Sequence, residues 1–176
     1  VIHLADLHIP QKFRFDEYKQ VFTNLINKIN QSHLSGKTIV VICGDIFHTK
    51  VYQRSNSIIL WNYLVKEITK LYPMFVITGN HDYDMTSNDN DWIESTYSTD
   101  NFYHLNQCGE YLINNISLGI SPLNSNQIYK MEQTDKIRIQ LYHGALKGCQ
   151  MFNGSTLDNG ISIENFGEYD YLMLGD

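Results

Sequence analysis

The run Thr38–Cys43 (Thr-Ile-Val-Val-Ile-Cys) constrains this chain more than any other segment. It is apolar and β-branched throughout, without the polar alternation of a half-exposed strand, so it reads as a strand buried on both faces. Phe75–Thr78 is a second strand of this kind, and Ile2–Ala5 is a shorter one. Between them lie two segments of helical period. The first carries Tyr18, Val21, Phe22, Leu25, Ile26 and Ile29, and the second Ile58, Trp61, Val65 and Ile68. The first half therefore reads β-α-β-α-β, a mainly parallel sheet with helices packed on it.

The second half has a different texture. Tyr83 to Asp100 is rich in Asn, Asp and Ser and reads as a long surface loop with one helical turn near Trp92. Short strands are expected at Phe102–Leu105, Tyr111–Ile113, Ile116–Ile120, Ile137–Tyr142 and Tyr171–Leu174, together forming a second sheet. The fold class is α/β, a sandwich of two mixed sheets flanked by helices. With 176 residues and no internal repeat or linker, the chain reads as one domain, 1–176. Trp61 and Trp92 are read as core and loop anchors. His3 is read as a strand side chain, and His33 and His104 as surface residues.

Each strand runs into residue types that bind metal. The first leads to Asp6-Leu7-His8, the second to Gly44-Asp45 and the third to Gly79-Asn80-His81-Asp82. Later strands lead to His143-Gly144 and Gly175-Asp176. In open α/β sheets, ligands bind beyond the carboxyl ends of the strands, so these five ends should converge on one rim. Carboxylate and amide oxygens and imidazole nitrogens, without a thiolate cluster, suit divalent Mn, Fe or Zn. Two such ions about 3.5–4 Å apart can drive in-line displacement at phosphorus.

In this order and spacing, Asp6-x-His8, Gly44-Asp45, Gly79-Asn80-His81-Asp82, His143-Gly144 and Gly175-Asp176 resemble the motifs of the calcineurin-like metallophosphoesterases over the whole chain. Ile2-His3-Leu4-Ala5-Asp6-Leu7-His8 and Gly44-Asp45-Ile46-Phe47-His48 are similar to the SbcD-type nucleases of double-strand-break repair. That branch includes archaeal, eukaryotic, phage and giant-virus enzymes. The resemblance implies two divalent ions, Mn²⁺ by preference. Asp6 and His8 would hold the first, Asn80 and His143 the second, and Asp45 would bridge them. It implies a catalytic His81 oriented by Asp82, and His48 on the scissile phosphate. DNA and an ABC-type ATPase subunit are the implied partners, a homodimer is left open, and no membrane is involved.

Two departures stand out. The family's last motif reads Gly-His-x-His; here Asp176 stands at its first histidine, as a candidate metal ligand. The domain is expected to be incomplete at its C-terminal end, with a second histidine, a DNA-capping domain and an ATPase-binding segment beyond Asp176. Ile9-Pro10 replaces the usual Leu-Gly after the first motif.

Composition bears on the alternatives. The formal net charge is −6, against the basic balance usual in nucleic-acid binders, and this keeps open a small-molecule phosphodiesterase or phosphatase on the same fold. A non-catalytic binding module is the third reading. Lys12, Arg14 and Arg54 flank the first two motifs and are read as solvated loop charges, with phosphate contact as the alternative. No apolar run approaches the ~18 residues of a membrane span, and Cys43, Cys108 and Cys149 form no Cys-x-x-Cys pair. An intracellular compartment, cytoplasmic or nuclear, with a viral or phage origin compatible, is the expectation.

Overall fold

The structure is a computed structural model that describes residues 1–176 except 33, 35, 85–89, 97, 126 and 152, and omits the side chains of Asn90 and Asn124. The reading of His33 and the middle of the Tyr83–Asp100 loop lie outside the described residues.

Strands β1 (Ile2–Leu4), β2 (Val40–Cys43) and β3 (Met74–Ile77) alternate with helices α1 (Phe15–Gln31) and α2 (Ser55–Thr69). The three strands are parallel neighbours in the order β1-β2-β3. All four residues of β2 and of β3 are buried, which explains their unbroken apolar sequence. One face of this sheet (Val40, Ile42, Met74, Val76) packs on Phe22, Ile26 and Ile29 of α1 and on Leu60, Trp61, Leu64, Val65 and Ile68 of α2. Asp16 and Glu17 in the first turn of α1 and Lys28 in its last suit the helix dipole.

Two short strands, β4 (Tyr83–Asp84) and β5 (Asn90–Asp91), pair antiparallel. The expectation of a long surface loop with one helical turn near Trp92 is corrected where these strands form. Asp84 and Asp91 are buried, and Ile93 is a member of the helix-side core. Trp92 anchors the segment by donating its Nε1–H to the Lys50 carbonyl at 2.9 Å. A polar sequence conceals this packing because its few apolar residues carry no period.

β6 (Phe102–His104) is also corrected. It joins the first sheet, parallel to β3, rather than the second. The open edge of β3 accepts it, with the Leu105 N–H on the Val76 carbonyl and the Phe102 ring edge-on to Trp61. The second sheet has the order β10-β9-β8-β7, from β7 (Gly109–Ile113), β8 (Ile116–Ser121), β9 (Ile137–His143) and β10 (Tyr171–Gly175). β7 and β8 are antiparallel; β8, β9 and β10 are parallel. This mixed sheet packs on the inner face of the first through Val41, Cys43, Phe75 and Ile77 against Leu118, Ile120, Ile139 and Leu141. The outer side of the second sheet carries a smaller cluster of Tyr142, Leu146 and Phe166. The result is the α/β sandwich of two sheets expected from the sequence. No helix among the described residues is long and apolar enough to cross a membrane.

Leu64 is fully buried between α2 and the sheet. Leu64→Ala should cost about 2–5 kcal/mol, read as a lower urea midpoint. Ile59→Ala, on the exposed side of α2, should change stability by no more than about 0.5 kcal/mol.

Candidate metal centre

Parallel pairing aligns the carboxyl ends of β1, β2 and β3 in one sheet and of β9 and β10 in the other, and His143 meets the Cys43 carbonyl across the sheets. The chain turns sharply as it leaves these ends. Asp6, His8 and Asp45 have φ of 54°, 44° and 53°. A left-handed backbone is uncommon outside glycine and tends to mark functional positions. The turns interlock through backbone bonds: Asp6 N–H to the Gly44 carbonyl, His8 N–H to Asp45 and Ile9 N–H to Ile46. Two glycines make the approach sterically feasible. A Cβ on Gly79 would collide with the backbone nitrogen and Oδ1 of Asp45, and one on Gly175 with the Cys43 carbonyl.

Asp45 lies at the centre, 2% exposed. Its Oδ2 is 3.6 Å from His8 Nε2 and 3.9 Å from His81 Nε2, and its Oδ1 is 3.2 Å from His143 Nε2. The His81 backbone N–H donates to Oδ1 at 2.9 Å. Burial alone would push the Asp45 carboxyl up, but His143 and the His81 N–H outweigh it and hold the pKa below the usual carboxylate value. Burial likewise opposes the charged form of His143. The Asp45 carboxylate, then the Cys43 carbonyl, overcome that and raise its pKa. His143 Nδ1–H donates to the Cys43 carbonyl at 2.9 Å, which fixes the tautomer and leaves Nε2 as a donor atom facing the centre.

Two groups of ligand atoms share Asp45: His8, Asp45 and His81, and Asp6, Asp45 and His143. Asp45 is common to both groups; Asp6 lies with His143, and His81 with His8. Asn80 Oδ1 is buried and without a hydrogen-bond partner, as are His8 Nδ1 and His143 Nε2. Buried polar atoms are rarely left unpaired, and these three lie on residues of one rim. A carboxylate in the middle, imidazole nitrogens around it and orphaned donors beside it fit divalent cations.

The other expected residues have different surroundings. Asp176 donates its backbone N–H to both oxygens of Asp6, at 3.0 and 3.2 Å, and its carboxylate is in neither ligand group. His48 is exposed, its ring stacked near His81 at 6.3 Å and edge-on to His8 at 5.8 Å. His81 Nδ1–H donates to the His48 carbonyl at 2.7 Å. Asp82, which the resemblance implies orients His81, meets loop backbone. Its carboxylate is fully buried and accepts the N–H groups of Phe47 at 2.9 Å and Gly79 at 3.0 Å. Burial pushes its pKa up to about 7 against those N–H donors. Asp82 therefore stitches together the backbones of the two motif loops. Lys12 and Arg54 are exposed, and Arg14 pairs with Glu17 at 2.7 Å.

The geometry exposes contacts the motifs do not announce. The Cys43 and His48 carbonyls orient two imidazoles, and backbone acceptors leave no mark in a sequence. His104, read as a surface residue, is nearly buried against Asp91. It too ends a parallel strand, so the positional rule that singled out the other histidines could have found it.

A model of the family described as calcineurin-like phosphoesterase matches residues 1–176. An uncharacterized protein, R555, of Acanthamoeba polyphaga mimivirus is 28% identical over 193 aligned residues. The alignment covers all of this chain and 14% of that protein, so the chain spans a small part of its relative's length. The crystal structure of the Pseudomonas putida nuclease MPE aligns with a TM-score of 0.38 and 16% identity, over 78% of this chain and 57% of that one. That likeness is too remote to carry an argument.

If Asp45 is shared by two ions, Asp45→Ala should abolish both, whereas His143→Ala should remove one; metal analysis after Mn²⁺ loading and desalting distinguishes the two. The family match over the whole chain and the two ligand groups around one buried carboxylate agree: this chain belongs to the calcineurin-like phosphoesterase family, whose members are metal-dependent hydrolases.

Proposed function

We propose that the protein hydrolyses phosphodiester bonds of DNA with two divalent ions, Mn²⁺ by preference, as a double-strand-break-repair nuclease of the SbcD type working with an ABC-type ATPase. The observation that carries the hydrolytic part is the sharing of Asp45 by two groups of ligand atoms. The choice of DNA is supported by the resemblance of Ile2–His8 and Gly44–His48 to the nuclease branch. The surroundings of the site favour it too. The loops that continue from His8 and His48 expose Lys12, Phe13, Arg14, Lys50, Tyr52 and Arg54, although the chain as a whole is acidic. Cationic side chains interleaved with aromatic ones suit a strand of phosphates and bases.

Asp6, His8, Asp45, Asn80 and His143 would hold the ions, which supply Lewis-acid charge stabilisation at the phosphoryl group when bound. Asp176 is proposed as a further ligand, its backbone N–H tied to the Asp6 carboxylate. His81 presents Nε2 to the centre while Nδ1–H is fixed by the His48 carbonyl. As water adds to phosphorus and the bond to the leaving oxygen breaks, the doubly protonated His81 passes its Nε2 proton to that oxygen and keeps Nδ1–H on the His48 carbonyl. His48, exposed beside His81, contacts the phosphate from the solvent side. Asp82 holds the two motif loops in register.

His81→Ala should retain both metals and slow hydrolysis by about 10²–10⁴-fold, the usual worth of general-acid help. The full-length protein with Mn²⁺ should cut duplex ends or single-stranded DNA. The net charge of −6 favours a second reading, a small-molecule phosphodiesterase. Rapid hydrolysis of a small diester that excess DNA leaves untouched would select that reading and overturn the first.

A further inference from the structure

Three polar side chains outside the metal centre meet behind it. Thr78 closes β3 and immediately precedes the Gly79-Asn80-His81-Asp82 loop. Its hydroxyl donates to Asp91 Oδ2 at 2.5 Å and lies 2.8 Å from His104 Nε2. A hydroxyl has one proton to give, so His104 Nε2 carries the hydrogen and donates to Thr78. The same nitrogen is 3.2 Å from Asp91 Oδ2. Asp91 Oδ1 accepts the Ile93 N–H at 2.8 Å. Thr78 and Asp91 are buried, and the His104 side chain is 11% exposed. A carboxylate so placed is costly unless fully partnered, and here both oxygens are.

What this cluster holds in place is Trp92, between Asp91 and Ile93. The Trp92 backbone N–H donates to the Asp82 carbonyl and its indole N–H to the Lys50 carbonyl, each at 2.9 Å. Those acceptors lie on the two loops that carry His81 and His48. The bond that sets the His81 ring, from Nδ1–H to the His48 carbonyl, spans the same two loops.

We propose that Thr78, Asp91 and His104 form a positioning network that fixes the His81 imidazole by holding the His81 and His48 loops at a set separation through Trp92. None of the three touches the reacting atoms. The inference rests on the role given above to His81 as proton donor, and not on the identity of the substrate. Loosening the network should misplace the His81 ring while leaving the metal ligands filled, and small misplacements of a reacting group cost rate steeply.

The test uses the full-length protein loaded with Mn²⁺ and the small diester bis(4-nitrophenyl) phosphate, so its outcome is independent of whether DNA is the substrate. Thr78→Val, which keeps the shape and removes the hydroxyl, should lower kcat about tenfold with KM and metal content unchanged. Thr78→Ser should recover most of the rate. In a His81→Ala background, Thr78→Val should add no further loss, because residues that act through one group are not additive. A crystal structure of metal-free Thr78→Val should show the 2.7 Å bond between His81 and His48 broken. Should Thr78→Val fail to fold, His104→Leu against His104→Gln, which restores an N–H donor, makes the same comparison. An equal loss in both backgrounds, or no loss in either, overturns the network. If His81→Ala is slow but Thr78→Val is not, only the network fails; if His81→Ala is as fast as wild type, the role of His81 fails and the network with it.

Discussion

The structure turns on one buried carboxylate. Asp45 sits where the two sheets meet, out of contact with bulk water, and remains below the ordinary carboxylate pKa. Moving a carboxylate into a protein interior costs several kcal/mol unless charge or hydrogen bonds replace its water. One N–H and three imidazoles surround it. The cost of placing it is spread through the fold. Two glycines admit close backbone approach, three residues hold left-handed conformations, and two sheets bring five strand ends to one rim. These features have no value to a merely stable sandwich, and each becomes intelligible if cations complete the shell.

Much of this was legible in the sequence because it is local. Thr38–Cys43 and Phe75–Thr78 announce buried strands, and the spacing of Phe22, Ile26 and Ile29 announces one face of a helix. The rule that ligands gather at strand ends then brings Asp6, His8, Asp45, Asn80, His81 and His143 together without coordinates. What sequence could not supply is the partner of each side chain. The resemblance implies that Asp6 and His8 share an ion, and both residues sit in left-handed turns. Asp6 ends beside His143, and His8 beside His81.

Three placements depend on contacts that local sequence does not show. The resemblance implies that Asp82 orients His81. Adjacent side chains leave a turn in different directions, and Asp82 dives under the loops to meet the backbones of Phe47 and Gly79. β6 pairs in the first sheet rather than the expected second because strand pairing is decided by which edge is free and not by order along the chain. The segment after Asp82 looked like solvent-exposed loop because Asp84, Asp91 and Ile93 are buried by contacts far apart in sequence. In each case the local chemistry is legible in the sequence and the long-range partner is not.

The central claim is that Asp45 is common to two metal ions, and anomalous diffraction from crystals of the full-length protein grown with Mn²⁺ addresses it most directly. The account predicts two anomalous peaks flanking the Asp45 carboxylate, one on the side of His8 and the other on the side of His143. A single peak, or peaks that do not have Asp45 as a common ligand, would contradict it.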